Sequence, residues 1–490
     1  MADFMIGLDQ GSSSSKALLV NRRGKVVHSA TVSYPSVHTG ESRVEIDPLK
    51  IIKSQLKALR DVLSRLNRKK DRVLGLGIAN QRSTIILWDR KTGRPFGPAL
   101  SWQDRRAAGF VEKWAARNGL IRRRTGLLLT PYYSAPKIRW LLDQSRKLRD
   151  LARQGRIACG TVNTYLVWHL TGGTVHATEP TNAARMLLMN LTRFEWDPEL
   201  LRFFRIPASM LPEIRSSCGD FGVCRIGGWR IPIRATIGDQ QSGLLGLGAV
   251  RPGDAVLNYG TGGFLVVNTG GRRAGVPGIL DSVAWSQGEK RCYIAEGTVN
   301  SVGSVFDWLV RAGLVGSKHD IGKTLRSRGR TPVFIPALAG LGAPHWEPEM
   351  KTAVLGLEAG MTAPDLVRGA VEGIGFLFRD IIEAMEDSGR VRAGRIRAGG
   401  GGSDIPGLLQ IQADIIGKPI WHAGHSGASA EASGLGAAVL AGVGAGWWRL
   451  PGRLPALSGG RVFRPRTSRA EQKRMALRWR QGLEALRTFR

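Results

Sequence analysis

Cysteine is scarce in this chain. Four occur among 490 residues (Cys159, Cys218, Cys224 and Cys292), and none forms a CxxC pair. That spacing excludes a disulfide framework and a paired-thiolate zinc site, and it fits a reducing cytoplasm. Long apolar runs are missing too. The least polar stretch, Gly434 to Trp448, is short and glycine-rich, which suits close helix packing better than a bilayer. The start "MADFMIG" carries neither a basic segment nor an apolar signal core, so neither a secretory leader nor a membrane partner is expected. Acidic residues are outnumbered, 39 against 71 Lys+Arg, for a formal net charge of +32. Such a surface attracts polyanions at long range. The basic residues are dispersed, however, and no aromatic-interleaved basic motif accompanies them, so no specific nucleic-acid partner is expected.

The length calls for more than one domain. "FMIGLDQ" and "KALLVN" read as paired strands, with "KVVHSATVSY" as a third. Ile52, Leu56, Leu59, Leu63 and Leu66 then recur at steps of four and three, marking an amphipathic helix opened by Asp47 and Pro48. "RVLGLGIAN" and "TIILWD" resume strands, and "DRRAAGFVEKWAAR" predicts a further helix. This alternation indicates an α/β fold. A second start follows near Arg251, where "DAVLNYGTGGFLVVNTG" repeats the pattern of strand, glycine turn and strand. The expected division is residues 1–248, residues 249–449, and a basic tail 450–490 whose helix turns Met475, Trp479, Leu483 and Leu486 inward.

Two glycine-tipped hairpins therefore open two α/β halves. Such a tip can aim successive N–H groups at one oxyanion, which Gly11, Ser12 and Ser13 could do in the first half and Gly260, Thr261 and Gly262 in the second. Neither tip fits the P-loop or the Rossmann fingerprint. A third cluster, "AGGGGSD", follows "RIRA". Each alone also reads as a structural turn; together they favour a bound nucleotide. In "ATIGDQQSGLLGLGA", a strand meets Gly238 and Asp239 starts a helix, either as a cap or aimed at a substrate hydroxyl. "NQRST", "SWQDRR" and "TPYYSAPKIRWLL" set Arg, Trp, Tyr and Gln at strand ends, suited to a polyol pocket or to half-buried packing.

In this order, "GLDQGSSSSKALLV", "NQRSTIILWDRKTGRP", "SWQDRR", "GDQQSGLLG", "NYGTGGFLVVNTG" and "PALAGLGAPHWEP" resemble the FGGY carbohydrate kinases, most closely their glycerol kinase branch. The likeness runs from Ile6 to about Trp448. It implies two actin-like, ribonuclease-H-like ATPase domains flanking a central cleft, with ATP, Mg²⁺ and a small polyol or sugar as ligands. A homo-oligomer is also expected. Carried over, the resemblance makes Asp239 the catalytic base and Asp9 the Mg²⁺ acid. Arg82, Ser83, Trp102, Tyr132, Asp239 and Gln240 would line the acceptor site. Gly11, Ser12, Ser13, Lys16, Gly260, Thr261, Gly303, Gly401 and Ile405 would face the nucleotide.

The chain departs from that pattern. The branch carries glutamate directly after the pocket arginine, where Ser83 stands here, which opens the site to a pentulose or tetritol. Ile405 stands where a polar residue is usual, and His345 where an aromatic is, the latter read as a packing variant. A catalytically idle ATP- or sugar-binding protein is the rival class; the presence of Asp9, Asp239 and Thr261 argues against it.

Overall fold

The computed structural model describes residues 2–40, 42–325, 331–423, 431–452, 454–455 and 460–489. The chain packs as two units. One comprises Met1–Val250, Asp281–Tyr293 and Glu431–Ala456; the other Arg251–Leu280, Ile294–Ala430 and Leu457–Arg490.

The first unit is built on the predicted opening. Strands β1 (Ala2–Gln10), β2 (Ser14–Asn21) and β3 (Val26–Ser33) form an antiparallel meander. Helix α1 (Pro48–Ser64) begins as expected, with Asp47 Oδ1 accepting from Leu49 N at 2.9 Å and Pro48 in the first turn. Ile52, Leu59 and Leu63 are buried against the sheet, and Leu56 and Leu66 partly so. Strand β4 (Asp71–Asn80) lies parallel to β1, and the sheet continues through two further strands, β5 (Val223–Ile226) and β6 (Trp229–Gly238), in the order β5-β6-β4-β1-β2-β3. Since β6 is also parallel to β4, the carboxyl ends of β1, β4 and β6 emerge side by side: Gln10 and Gly238 both pair with Asn80. In parallel sheets that edge is where ligands are held. Two helices serve the edge, α2 (Ser134–Gln144) and α3 (Asp239–Gly246), the latter starting directly after β6.

"DRRAAGFVEKWAAR" forms less helix than its pattern predicts, only Ala108–Lys113 followed by a 3₁₀ turn at Ala115–Arg117. None of Ala108–Lys113 is buried, so little packing supports a longer helix.

The second unit repeats the plan. Strands β7 (Asp254–Tyr259) and β8 (Gly263–Gly270) form the second glycine-tipped hairpin. After helices α4 (Gly303–Arg311) and α5 (Ala363–Asp387), strand β9 (Arg395–Gly399) pairs parallel with β7, and β10 (Ile420–His422) parallel with β9.

The next helix, α6 (Ala432–Gly444), falls in the second half of the sequence yet packs on β1, β4 and α3 of the first unit. Its backbone comes very close: a Cβ on Gly7 would lie 1.9 Å from the Gly434 carbonyl oxygen, and one on Gly77 2.0 Å from that of Ala437. Only glycine fits in β1 and β4 at those points. The apolar glycine-rich run is thus a packing helix, and among the described residues no helix is long and apolar enough to cross a membrane.

Strand β11 (Arg461–Phe463) closes the second sheet, and α7 (Arg469–Thr488) docks on this unit. Trp479 and Leu483 are buried and Met475 and Leu486 partly so, as the helical spacing predicts. Trp479 stacks on Phe376 with centroids 5.2 Å apart, and its Nε1 donates to Asp380 Oδ2 at 2.9 Å. His345 Nε2 lies 2.9 Å from the same carboxylate oxygen.

Candidate active site

Asp9, Arg82 and Asp239 reach the carboxyl edge of the first sheet by a local rule. Asp9 sits one residue before the end of β1, opposite Lys16 across the hairpin. The tip that follows is held from below. Gln10 Nε2 and Gln81 Nε2 donate to the Gly11 carbonyl at 2.7 and 2.9 Å, and the Tyr34 hydroxyl donates to it as well. Three donors on one carbonyl fix the peptide that presents Ser12 and Ser13.

Arg82 follows β4 and Asp239 follows β6, and the parallel register makes them neighbours. Arg82 Nε lies 3.4 Å from Asp239 Oδ1, with the guanidinium nearly buried and the carboxylate about one-third accessible, 9% against 35%. Asp239 is the first residue of α3 rather than its cap: Gly238 holds the cap position, and Asp239 Oδ1 accepts from Gln240 N at 2.8 Å. The peptide just before it is pinned, because Gly238 N donates to Thr181 Oγ1 at 2.7 Å and Thr181 N donates to the buried Glu179 at 2.8 Å. A carboxylate one-third in solvent, beside an arginine on a braced turn, can accept a proton from a hydroxyl delivered to the edge. Gln240 Oε1 is buried with no hydrogen-bond partner among the described residues, a buried acceptor that a ligand hydroxyl would satisfy.

Trp102 and Tyr132 remain 36% and 42% exposed, unusual for large aromatics and suited to covering a carbon skeleton. A hydrogen-bonded circuit joins Trp102 to the hairpin. Trp102 N donates to Thr84 Oγ1 at 3.0 Å, Thr84 Oγ1 to Gln81 Oε1 at 2.9 Å, and Gln81 to Gly11 as above. Trp102 Nε1 then closes the circuit on Ser12 Oγ at 2.9 Å. Ser83 is 6% exposed and adopts φ +65°, the left-handed region uncommon for a side chain. Sequence reading named the pocket residues but missed Gln81 and Thr84; "NQRST" holds both, and only the fold shows that they face the hairpin.

Burial raises the Asp9 carboxyl to about 6 although the residue keeps some accessible surface; the charge of Asp239 adds to the rise and Lys16 opposes it. The two carboxylates therefore share too little positive charge, and the place fits a divalent cation. Among the described residues no cluster of three metal-ligating side chains exists. An ion there would draw its other ligands from water and phosphate, as magnesium commonly does.

In the second unit, three glycine stretches meet. The hairpin tip after β7 and the cluster after β9 follow adjacent parallel strands, with Asn258 opposite Gly399. The start of α4 packs on the tip: Gly303 N donates to the Gly260 carbonyl at 2.9 Å and Ser304 N to that of Thr261 at 3.2 Å. A Cβ on Gly303 would lie 2.7 Å from that Gly260 oxygen, so the contact requires glycine. Beside it lies a cavity of about 660 Å³ lined by Ser304, Asp307, Val310, Arg311, Gly316, Ser317 and Lys318, with Lys318 Nζ 2.6 Å from Asp307 Oδ1. Gly401 opens the short helical turn after β9, and Ile405 N donates to the Gly402 carbonyl at 3.2 Å while its side chain packs on the core. Asp307 and Lys318 carried no sequence signal, since they join only when α4 and the next helix, Lys318–Thr324, fold together.

Comparison with known proteins accounts for this arrangement. Residues 4–246 match the N-terminal domain of the FGGY family of carbohydrate kinases, and residues 255–445 match its C-terminal domain. The chain belongs to that family. This FGGY kinase is 42% identical to a glycerol kinase of Thermus brockianus over 98% of both chains. It is 39% identical to a glycerol kinase of Geobacter sp. (strain M21), over 91% of this chain and 90% of that one. Among solved structures, Plasmodium falciparum glycerol kinase with ADP superposes with a TM-score of 0.91 at 29% identity, covering 99% of this chain and 98% of that one. A xyloylose kinase from Brucella ovis shares the fold, with a TM-score of 0.87 at 21% identity, covering 99% and 100% of the two chains. The family resemblance and the mixed α/β, actin-like fold read from the sequence both hold. The protein is an ATP-dependent kinase of a sugar or polyol.

Proposed function

We propose that this kinase transfers the γ-phosphoryl group of ATP to a hydroxyl of a small polyol of the glycerol type, with Asp239 as general base. The observation that carries the reading is the Arg82–Asp239 pair on the carboxyl edge of the first sheet, beside a hairpin tip tied to Trp102. The acceptor lies against Trp102 and Tyr132, its hydroxyls paired with Arg82 and Gln240. Asp239 takes the hydroxyl proton as the oxygen–phosphorus bond forms and the bond to the bridging oxygen of ADP breaks. At each hairpin tip a phosphate oxygen can be met by backbone amides and hydroxyls, those of Ser12 and Ser13 at one and of Thr261 at the other, while the amides of Gly11, Gly260 and Gly303 are spent on the Ser14, Gly262 and Gly260 carbonyls and shape the turns. The cavity beside Ser304 accepts the nucleoside. Asp9 is the residue that would hold Mg²⁺, and the ion, when bound, neutralises charge on the β- and γ-phosphates. The four cysteines are buried and none is in a disulfide, which accords with a reducing cytoplasm.

Ser83 supports a second reading of the acceptor. Serine is shorter than the glutamate of the glycerol kinase branch and uncharged, which suits a tetritol or pentulose. ADP release measured over glycerol, erythritol and pentuloses separates the two. Asp239→Asn is expected to lower kcat by about 10² to 10⁴, and undiminished turnover in that variant removes Asp239 from its role.

A further inference from the structure

Lys137, in the first turn of α2, is 0% exposed. Its Nζ donates to the Ser101 carbonyl at 2.6 Å and to the Tyr132 carbonyl at 2.8 Å. An amine held on two main-chain oxygens, away from water, is a costly way to fill space. Desolvation draws its pKa down to about 7, with Asp104 opposing the fall and Arg106 adding to it. An apolar residue of the same length would pack there without that cost, but it would take the donor from the buried Ser101 carbonyl and from the part-buried Tyr132 carbonyl.

Those carbonyls are informative. One belongs to the residue just before Trp102, the other to Tyr132 itself, and these are the two exposed aromatics of the acceptor site. Ser101 stands 31 residues before Tyr132 in the chain, by subtraction of their numbers. Trp102 is tied to the sheet through Thr84, and Lys137 reaches from α2 to both segments at once.

We propose that Lys137 is the positioning residue of the acceptor site, its amine setting the spacing between Trp102 and Tyr132 by holding the Ser101 and Tyr132 carbonyls together. It touches neither substrate nor nucleotide. Loss of the bridge lets one aromatic drift from the other, and a drift of about 1 Å in a positioning element can cost about 10² in rate or binding. The effect falls on the acceptor, because both carbonyls that the amine holds belong to the segments carrying Trp102 and Tyr132. The inference rests on the reading of Trp102 and Tyr132 as acceptor-site residues.

The test measures acceptor KM and ATP KM separately in Lys137→Met, which keeps the stem and removes the donors. Acceptor KM is expected to rise about tenfold with ATP KM within about twofold of wild type. Lys137→Gln, shorter but bearing two N–H donors, is expected to fall between Met and wild type, and it carries the test if Met does not yield folded protein. Trp102→Ala is measured alongside. If Trp102→Ala raises acceptor KM while a folded Lys137 variant keeps the wild-type value, the positioning role is overturned and the pocket stands. If Trp102→Ala also leaves acceptor KM unmoved, the acceptor-site reading itself falls. Equal rises in both Michaelis constants mark general damage and likewise overturn the role.

Discussion

The indole of Trp102 donates its one N–H to the hydroxyl of Ser12 at 2.9 Å, so a residue of the acceptor wall and a residue of the phosphate hairpin hold each other directly. The bond lies entirely within the first unit, and the circuit through Thr84 and Gln81 returns to the same tip. Trp102→Phe keeps the ring and deletes the donor. A neutral hydrogen bond of this kind is worth about 0.5–1.5 kcal/mol, so acceptor kcat/KM should fall by about two- to tenfold. Steady-state kinetics check this, and a Ser12→Ala/Trp102→Phe double-mutant cycle should show the two losses to be non-additive.

Asp9 gives a pH dependence with a definite sign. Its carboxyl titrates at about 6 in the folded chain against an ordinary 3.8. The native state thus binds a proton that the unfolded state has already released between those values, and the stability it contributes is present below the lower one and lost as pH rises through the upper. Without divalent cations, the thermal midpoint of wild type relative to Asp9→Asn should fall as pH rises from about 4 to about 7. Added Mg²⁺ should restore the wild type above pH ~6 and leave Asp9→Asn unmoved, as read by thermal denaturation in chelator and in magnesium.

Ser83→Glu tests the choice of acceptor. Glutamate brings two acceptors for vicinal hydroxyls and fills the space a longer substrate would use. The ratio of kcat/KM for glycerol over erythritol should rise by at least about tenfold. Position 83 already sits at φ +65°, and the bulkier side chain should lower the thermal midpoint as well.

Trp479 anchors the final helix by stacking on Phe376 and by its bond to Asp380. Trp479→Ala should cost about 3–5 kcal/mol in the second unit, seen as an earlier transition in urea, with acceptor KM unchanged in the protein that remains folded.

The residues that were legible in the sequence share a local signal. Glycines and serines between two aliphatic runs announce the hairpin tips, and a carboxylate between a strand and a small-residue helix announces Asp239. Helix α1 declared both its cap and its buried face. Lys137 was silent because its partners lie in another segment, although the buried phase of Ala135, Ile138 and Leu142 runs on either side of it. Asp307 with Lys318, and Gln81 with Thr84, acquire meaning only from long-range neighbours. The short helix after Arg106 was over-read, since periodicity alone does not guarantee a surface to pack on.

The placement of α6 sets an order on the life of a nascent chain. The backbone oxygens that press on Gly7 and Gly77 belong to Gly434 and Ala437, which are synthesised 427 and 360 residues later by subtraction of their numbers. Until they arrive, one side of the opening sheet stays bare, so a fragment ending near Val250 should emerge sticky and dependent on chaperones, and premature termination should yield aggregate in place of a free-standing lobe.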